Sequence, residues 1–144
     1  MKSNQHILHN CLYFTANSLS RVITKMAEQE FALTGLSPSH AFLVMLVMEN
    51  PGIGQTELAR ELNLAPSTVT RFIDTLAHRG YLERKSKGKA SRIFPTRAGE
   101  DLRGPIKQAW KKLHQRYANI LGQEKGDELA RQIDLASAKL AETV

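Results

Sequence analysis

Apolar residues Leu8, Leu12, Leu19, Val22, Ile23 and Met26 recur at helical spacing, and this pattern predicts one long helix over about residues 6–32. Gly35 ends that stretch. Ser37-Pro38 restarts a helix, with serine as N-cap and proline at the first helical position. Residues 41–48 are apolar on nearly every side, which predicts a buried central helix, and Asn50-Pro51-Gly52 stops it.

A short helix over about residues 55–62, a turn at Asn63-Leu64-Ala65 and a helix over about residues 66–79 follow, the last closed by Gly80 at C′. Residues 81–85 and 91–96 read as two short strands joined by Ser86-Lys87-Gly88-Lys89-Ala90. Pro95 confines the second strand to an edge or to its own final residue. From Arg97 the chain is helical again. Leu102, Ile106, Ala109, Leu113, Tyr117 and Ile120 form one stripe, Gly122 breaks it, and Leu129, Ile133, Ala136 and Leu140 form another. The expected fold class is mainly α with a small β-hairpin wing.

Charge sharpens this outline by its placement. Residues 1–50 and residues 51–80 each carry three basic and three acidic groups, whereas residues 81–112 carry ten basic and three acidic. The net charge of +6 therefore gathers around the predicted hairpin, the footprint expected for a polyanion partner. A merely solubilising role for these residues stays open on charge alone. No apolar run approaches the roughly 20 residues that a membrane span needs, so no membrane partner is expected. The polar start of the chain leads into no apolar segment, which argues against a secretory signal. Cys11 is the single cysteine; with no internal disulfide available to it, the chain suits a reducing cytoplasm.

The stretch from Gln55 to Asp74 carries the most functional information. A helix-turn-helix packs two short helices steeply across a tight turn. Ala59 supplies the small residue needed where they cross, and Asn63 tolerates a left-handed backbone at the turn. Leu58, Leu62, Leu64, Val69, Ile73 and Leu76 fall where a shared core is required. The second helix then exposes Ser67, Thr68, Thr70, Arg71, Asp74 and Thr75. Its hydroxyls and arginine suit phosphates and base edges in a major groove of double-stranded DNA. Any amphipathic helix pair has a polar outside. The basic hairpin directly behind, with Arg84, Lys85, Lys87, Lys89 and Arg92, makes the combination a winged helix-turn-helix.

Enzyme chemistry lacks a constellation: there is no glycine-rich phosphate loop, nucleophile elbow, HExxH or paired-cysteine metal spacing. No cofactor and no metal are expected; His6, His9 and Cys11 would lack a fourth ligand. A non-specific architectural DNA binder and a protein–protein module are the rival readings.

The run Gln55–Leu62, the segment Pro66-Ser67-Thr68-Val69-Thr70-Arg71, the exit Arg79-Gly80-Tyr81-Leu82-Glu83-Arg84 and the opening Thr96-Arg97-Ala98-Gly99 resemble the MarR (multiple-antibiotic-resistance regulator) family. The resemblance covers nearly the whole chain and is strongest over residues 53–99. It implies a bacterial transcription regulator, expected to repress, whose homodimer interlocks its first and last helices and grips one palindromic site with two winged lobes. Residues 1–35 would be an N-terminal dimerisation helix, residues 36–97 the DNA-binding lobe and residues 98–144 C-terminal dimerisation helices. Ile7, Leu8, Leu12, Trp110, Leu113, Tyr117, Ile120, Leu121, Leu129, Ile133 and Leu140 have too little domain to pack against and should bury against the second copy.

Three departures from the family pattern stand out. Ala65 replaces the usual serine before Pro66, removing an N-cap worth about 1 kcal/mol. Lys87 and Lys89 stand where an Asp-x-Arg pair is common, so the wing should bind through mobile point charges. Pro95 replaces the usual leucine before Thr96.

The resemblance also implies a signal. Cys11 lies roughly where the family's organic-hydroperoxide regulators keep a sensing cysteine, with His9 and Tyr13 near in sequence. Yet Ser39, His40 and Phe42 stand where those sensors place tyrosines, and the spacing from Cys11 to Arg21 differs by about two residues. Leu8, Leu12 and Phe14 offer Cys11 apolar packing, and an inert, packed cysteine is expected. A small-molecule effector would then occupy a pocket lined by Met26, Phe31, His40, Met45 and Met48, residues that equally suit a plain core. Peroxide sensing through Cys11 is the alternative.

Overall fold

The computed structural model describes residues 2–87 and 90–144. Two helices open the chain where one was expected: a short α1 over Lys2–His9 and a long α2 over Leu12–Phe31. Asn10 turns its side-chain amide back to the carbonyl of His6 at 2.8 Å, and Cys11 takes an extended backbone (φ −93°, ψ 120°) as the N-cap of α2. Apolar spacing continues across the two helices and does not register the break. After α2, a 3-10 turn over Ala32–Thr34 ends at Gly35 in the left-handed region (φ 72°). Buried Thr34 is satisfied there, donating to the Phe31 carbonyl at 2.6 Å and accepting from the Leu36 N–H at 3.0 Å.

Helix α3 spans Pro38–Glu49, its first turn capped by the Ser37 hydroxyl, which accepts from the His40 N–H at 3.2 Å. Ala41, Leu43, Val44, Val47 and Met48 are buried, so this is the central helix that the apolar run predicts. It packs against α2, α4 (Gln55–Leu62), β3 (Ala90–Pro95) and α6 (Arg97–Glu100). The core around it draws on several elements: Phe31, Leu58, Val69, Ile73, Leu76, Ile93 and Ile106 are all fully buried.

The wing is a three-stranded sheet. Strand β1, Ile53–Gly54, was not expected, because two residues are too few to show a period. It pairs antiparallel with β3, Ile53 opposite Ile93, and β3 also pairs with β2 (Leu82–Lys87), giving the order β1-β3-β2. Pro95 thus lies on the central strand, as its final residue, opposite Leu82. It is tolerated because β1 stops pairing at Ile93 and asks nothing of position 95. The strands also reach further toward the tip than expected, to the pair Lys87–Ala90.

Between α4 and α5 (Pro66–His78) the turn is made by Asn63 at φ 53° and ψ 44°, the one non-glycine residue with positive φ among those described. Thr96 caps α6, its hydroxyl accepting from the Gly99 N–H at 3.1 Å and donating to the Gly80 carbonyl. Helix α7 spans Arg103–Leu121, and α8 spans Gln123–Ala141 after a break at Gly122 (φ 93°).

Packing divides the chain into two compact units, residues 1–109 and 110–144. In the second unit the Tyr117 hydroxyl and His114 Nδ1 share a hydrogen bond of 2.9 Å, and His114 Nε2 lies 3.5 Å from an Asp127 carboxylate oxygen. Burial, and then the charge of Asp127, raise the pKa of Tyr117 above its usual 10.0, so the phenol keeps its proton. Large apolar side chains remain exposed on α1, α2, α7 and α8, among them Ile7, Leu12, Trp110, Ile120, Leu129, Ile133 and Leu140. Among the described residues no single helix is long and apolar enough to cross a membrane.

Candidate nucleic-acid interface

Helix α5 has an inner face and an outer face. Val69, Ile73 and Leu76 are buried at the three- and four-residue spacing of one helical stripe, leaving Ser67, Arg71, Asp74 and Thr75 exposed on the other side. Pro66 starts the helix, and Ala65 offers no side-chain cap. The first-turn amides and the positive end of the helix dipole therefore meet no internal acceptor from that residue. Arg71 is exposed and barely tethered, its guanidinium 3.5 Å from the Thr68 hydroxyl. Thr70 is more committed: its hydroxyl donates to the Pro66 carbonyl at 3.0 Å and accepts from the Gln55 amide at 3.1 Å.

Alternation along β2 and β3 sorts the wing's charges between two faces. Arg84 lies directly opposite buried Ile93 and two residues from buried Leu82, which places it on the side that looks toward α5. There it meets Asp74 at 2.6 Å, donates from Nε to the Gln55 carbonyl at 3.2 Å and from Nη2 to the Thr70 backbone carbonyl at 3.4 Å. Lys85 and Arg92 form a register pair on the opposite face. Lys85 lies 5.0 Å from the centre of the Phe94 ring and 3.5 Å from Glu83, and Arg92 donates to the Gly52 carbonyl at 3.0 Å. Lys87 ends β2 by its backbone; its side chain and Lys89 lie outside the described residues.

Sequence reasoning overlooked Gln55, which starts α4 and joins α5 to β2, and it treated Asp74 as a plain surface residue. Their partners stand 15 and 10 positions away, beyond any local period. A usable signal existed for Arg84: counting by two from apolar Leu82 turns it inward. A second overlooked group joins α3 to α5. The His40 and Phe72 rings meet edge to face, while Arg79 donates to the Gly35 carbonyl at 3.3 Å and lies 5.2 Å from the centre of the Tyr81 ring.

The expected effector residues divide by burial. Phe31 and Met48 are core side chains, whereas Met26, His40 and Met45 are half-buried. Two open grooves lie along the α7–α8 corner, around Glu124, Asp127 and Arg131, and none of the five residues lines either. Cys11, expected to be packed, is exposed, because the helix break puts it at an N-cap rather than within an apolar stripe. His6, His9 and Cys11 do not gather into a metal-holding group among the described residues. Of the residues expected to meet a second copy, Ile7, Leu8, Leu12, Trp110, Leu121, Leu129, Ile133 and Leu140 are exposed. Tyr117 is half-buried, and Leu113 is only 9% exposed, already covered by its own chain.

Residues 36–92, spanning α3 to the returning strand of the wing, match the MarR family model. The chain is 43% identical over 51 residues to the HTH-type transcriptional regulator BhcR of Paracoccus denitrificans, covering 35% of this chain and 18% of BhcR. It is 27% identical over 104 residues to the uncharacterized HTH-type transcriptional regulator YdgJ of Bacillus subtilis, covering 72% of this chain and 63% of YdgJ. The chain thus spans less than two thirds of the length of either relative. Among solved structures, the transcriptional repressor CouR bound to p-coumaroyl-CoA superposes with a TM-score of 0.82 at 21% identity, covering 90% of this chain and 94% of CouR. CouR bound to a 23-mer DNA duplex gives the same figures. At this identity the likeness is one of fold.

Proposed function

We propose that this chain, whose residues 36–92 match the MarR family model, is a transcription regulator whose homodimer binds a palindromic operator in double-stranded DNA through two winged helix-turn-helix lobes. The observation that carries this reading is the outer face of α5. It presents Ser67, Arg71 and Thr75 to solvent, while the basic hairpin is fastened behind it through Arg84. A helix of that character fits a major groove, and a charged hairpin beside it fits the flanking backbone. Residues 36–97 form the DNA-binding lobe, and residues 1–35 and 98–144 supply the dimer contacts. The open apolar faces of α1, α2, α7 and α8 support that division. Ser67, Thr68, Arg71 and Thr75 meet the groove from α5, with Lys85, Lys87, Lys89 and Arg92 on the wing.

The protein acts as a repressor in the cytoplasm and is released by a small-molecule effector, as a fold shared with a CouR solved with p-coumaroyl-CoA supports. Selection of bound duplexes from a randomised pool tests the reading. Enrichment of an inverted repeat is expected. Equal retention of all duplexes at fixed salt would make the protein an architectural binder instead, and no retention would remove DNA from its function.

A further inference from the structure

We propose that Arg84 is a positioning residue: by clasping Asp74, Gln55 and Thr70 it sets the angle between the wing and the recognition helix and silences a carboxylate on the DNA-facing surface. The proposal rests on the DNA-binding reading above and deepens it.

An arginine on a basic wing is ordinarily assigned to phosphate. The geometry points elsewhere. Strand alternation turns Arg84 toward the protein while Lys85 and Arg92 take the opposite face. Three of its five N–H donors are committed within the chain, to a carboxylate, a side-chain carbonyl and a backbone carbonyl. Those acceptors belong to two different elements, α4 and α5, while Arg84 itself belongs to β2. A planar guanidinium has the fork to join three elements in one arrangement, as an ammonium does not. Gln55 extends the link, passing its amide N–H to the Thr70 hydroxyl, which donates onward to Pro66.

Asp74 gives the clasp a second role. It lies on the exposed face of α5 beside Arg71 and Thr75, where an unpaired carboxylate would repel the phosphates that the helix approaches. Arg84 neutralises it. Because the helix and the wing must engage one duplex together, a loosened clasp should cost matched DNA more than unmatched DNA.

This gives Asp74→Asn an unusual expected sign. The change keeps shape and removes a negative charge, so in the absence of a clasp it should strengthen binding to any duplex. We expect it to weaken binding to the duplex selected by the wild type by about tenfold, a coupling within the ordinary range for a hydrogen-bonded ion pair. Affinity for an unselected duplex of equal length should hold or rise, which also shows the variant is folded. The double variant Asp74→Asn/Arg84→Gln removes no net charge. It should lose about as much as the single change and keep the wild-type dependence on salt. The proposal is overturned if Asp74→Asn binds the selected duplex as well as the wild type or better. It is equally overturned if the double variant's salt slope falls by about one unit, the mark of a lost phosphate contact. A wild type that selects no sequence overturns the regulator reading itself, a result reached before any substitution is made.

Discussion

His40 and Phe72 meet edge to face, 4.5 Å between ring centroids, so the first turn of α3 is fastened to the middle of the recognition helix. Burial first, and then the nearby Arg79 guanidinium, hold the His40 pKa below 6.5. The folded protein thus binds this proton less well than the unfolded chain does. The stability tied to neutral His40 is complete above the unfolded value and is lost as pH falls through it toward the lower folded value. Thermal midpoints measured between about pH 7.5 and about pH 5.5 should fall more steeply in the wild type than in His40→Gln. Parallel slopes would show that the imidazole titrates without consequence.

A Cβ on Gly99 would stand 2.2 Å from the carbonyl oxygen of Tyr81, which itself accepts from the Thr96 N–H at 3.1 Å. Neither backbone can give way without unseating the start of β2. Gly99→Ala should therefore cost about 1–3 kcal/mol and lower the melting temperature by about 3–10 °C. A melting temperature unchanged to within a degree or so would mean that the approach is looser than described.

Ala65 holds the extended geometry of an N-cap, φ −63° and ψ 143°, without a side chain able to use it. Ala65→Ser should add about 1 kcal/mol to stability by capping the recognition helix. Denaturant titration would read this as a higher midpoint with the same slope. A lower midpoint would show that the serine disturbs the turn.

The apolar stripe of α8 supports a test of assembly. Ile133 is 47% exposed, with Leu129 and Leu140 open on the same helix. If these side chains meet a second copy, Ile133→Glu should weaken dimerisation by about a hundredfold or more, since it buries a charge in each of two subunits. Light scattering across a dilution series should show a dimer that becomes a monomer in the variant. A wild type already monomeric at micromolar concentration would refute the assembly.

Arg71 and Lys85 should separate by their response to DNA sequence. Arg71→Ala should cost about 1–3 kcal/mol on the selected duplex and relax the preference at one base position. Lys85→Ala should weaken all duplexes alike and lower the salt slope by about one unit. Equal loss by Arg71→Ala on selected and unselected DNA would reassign it to phosphate.

Local chemistry and helical period made much of the fold legible in advance. The buried faces of α3 and α5 follow from apolar spacing, and the turn at Asn63 follows from what a left-handed backbone tolerates. Three features were hidden for different physical reasons. The break after His9 is a change of backbone conformation at Cys11, which leaves the hydrophobic spacing on either side of it unchanged. Strand β1 is too short for any period and exists because β3 offers it an edge. The network of Gln55, Asp74 and Arg84 joins positions up to 29 residues apart and depends on tertiary packing. Within that network only Arg84 was legible: composition marks it as a wing charge, but counting by two from Leu82 along the strand turns it inward.

The strand order β1-β3-β2 leaves two rims, each an invitation for a foreign strand to add itself. One rim offers only Ile53 and Gly54, too little backbone to template anything. The other, β2, is long enough, and it carries Glu83, Arg84 and Lys85 in succession. The cost of stripping water from these charged side chains guards against intermolecular sheet growth. Substituting these residues with β-branched apolar side chains to abolish DNA binding would therefore turn the wing into a nucleus for aggregation, and alanine or glutamine is the safer replacement.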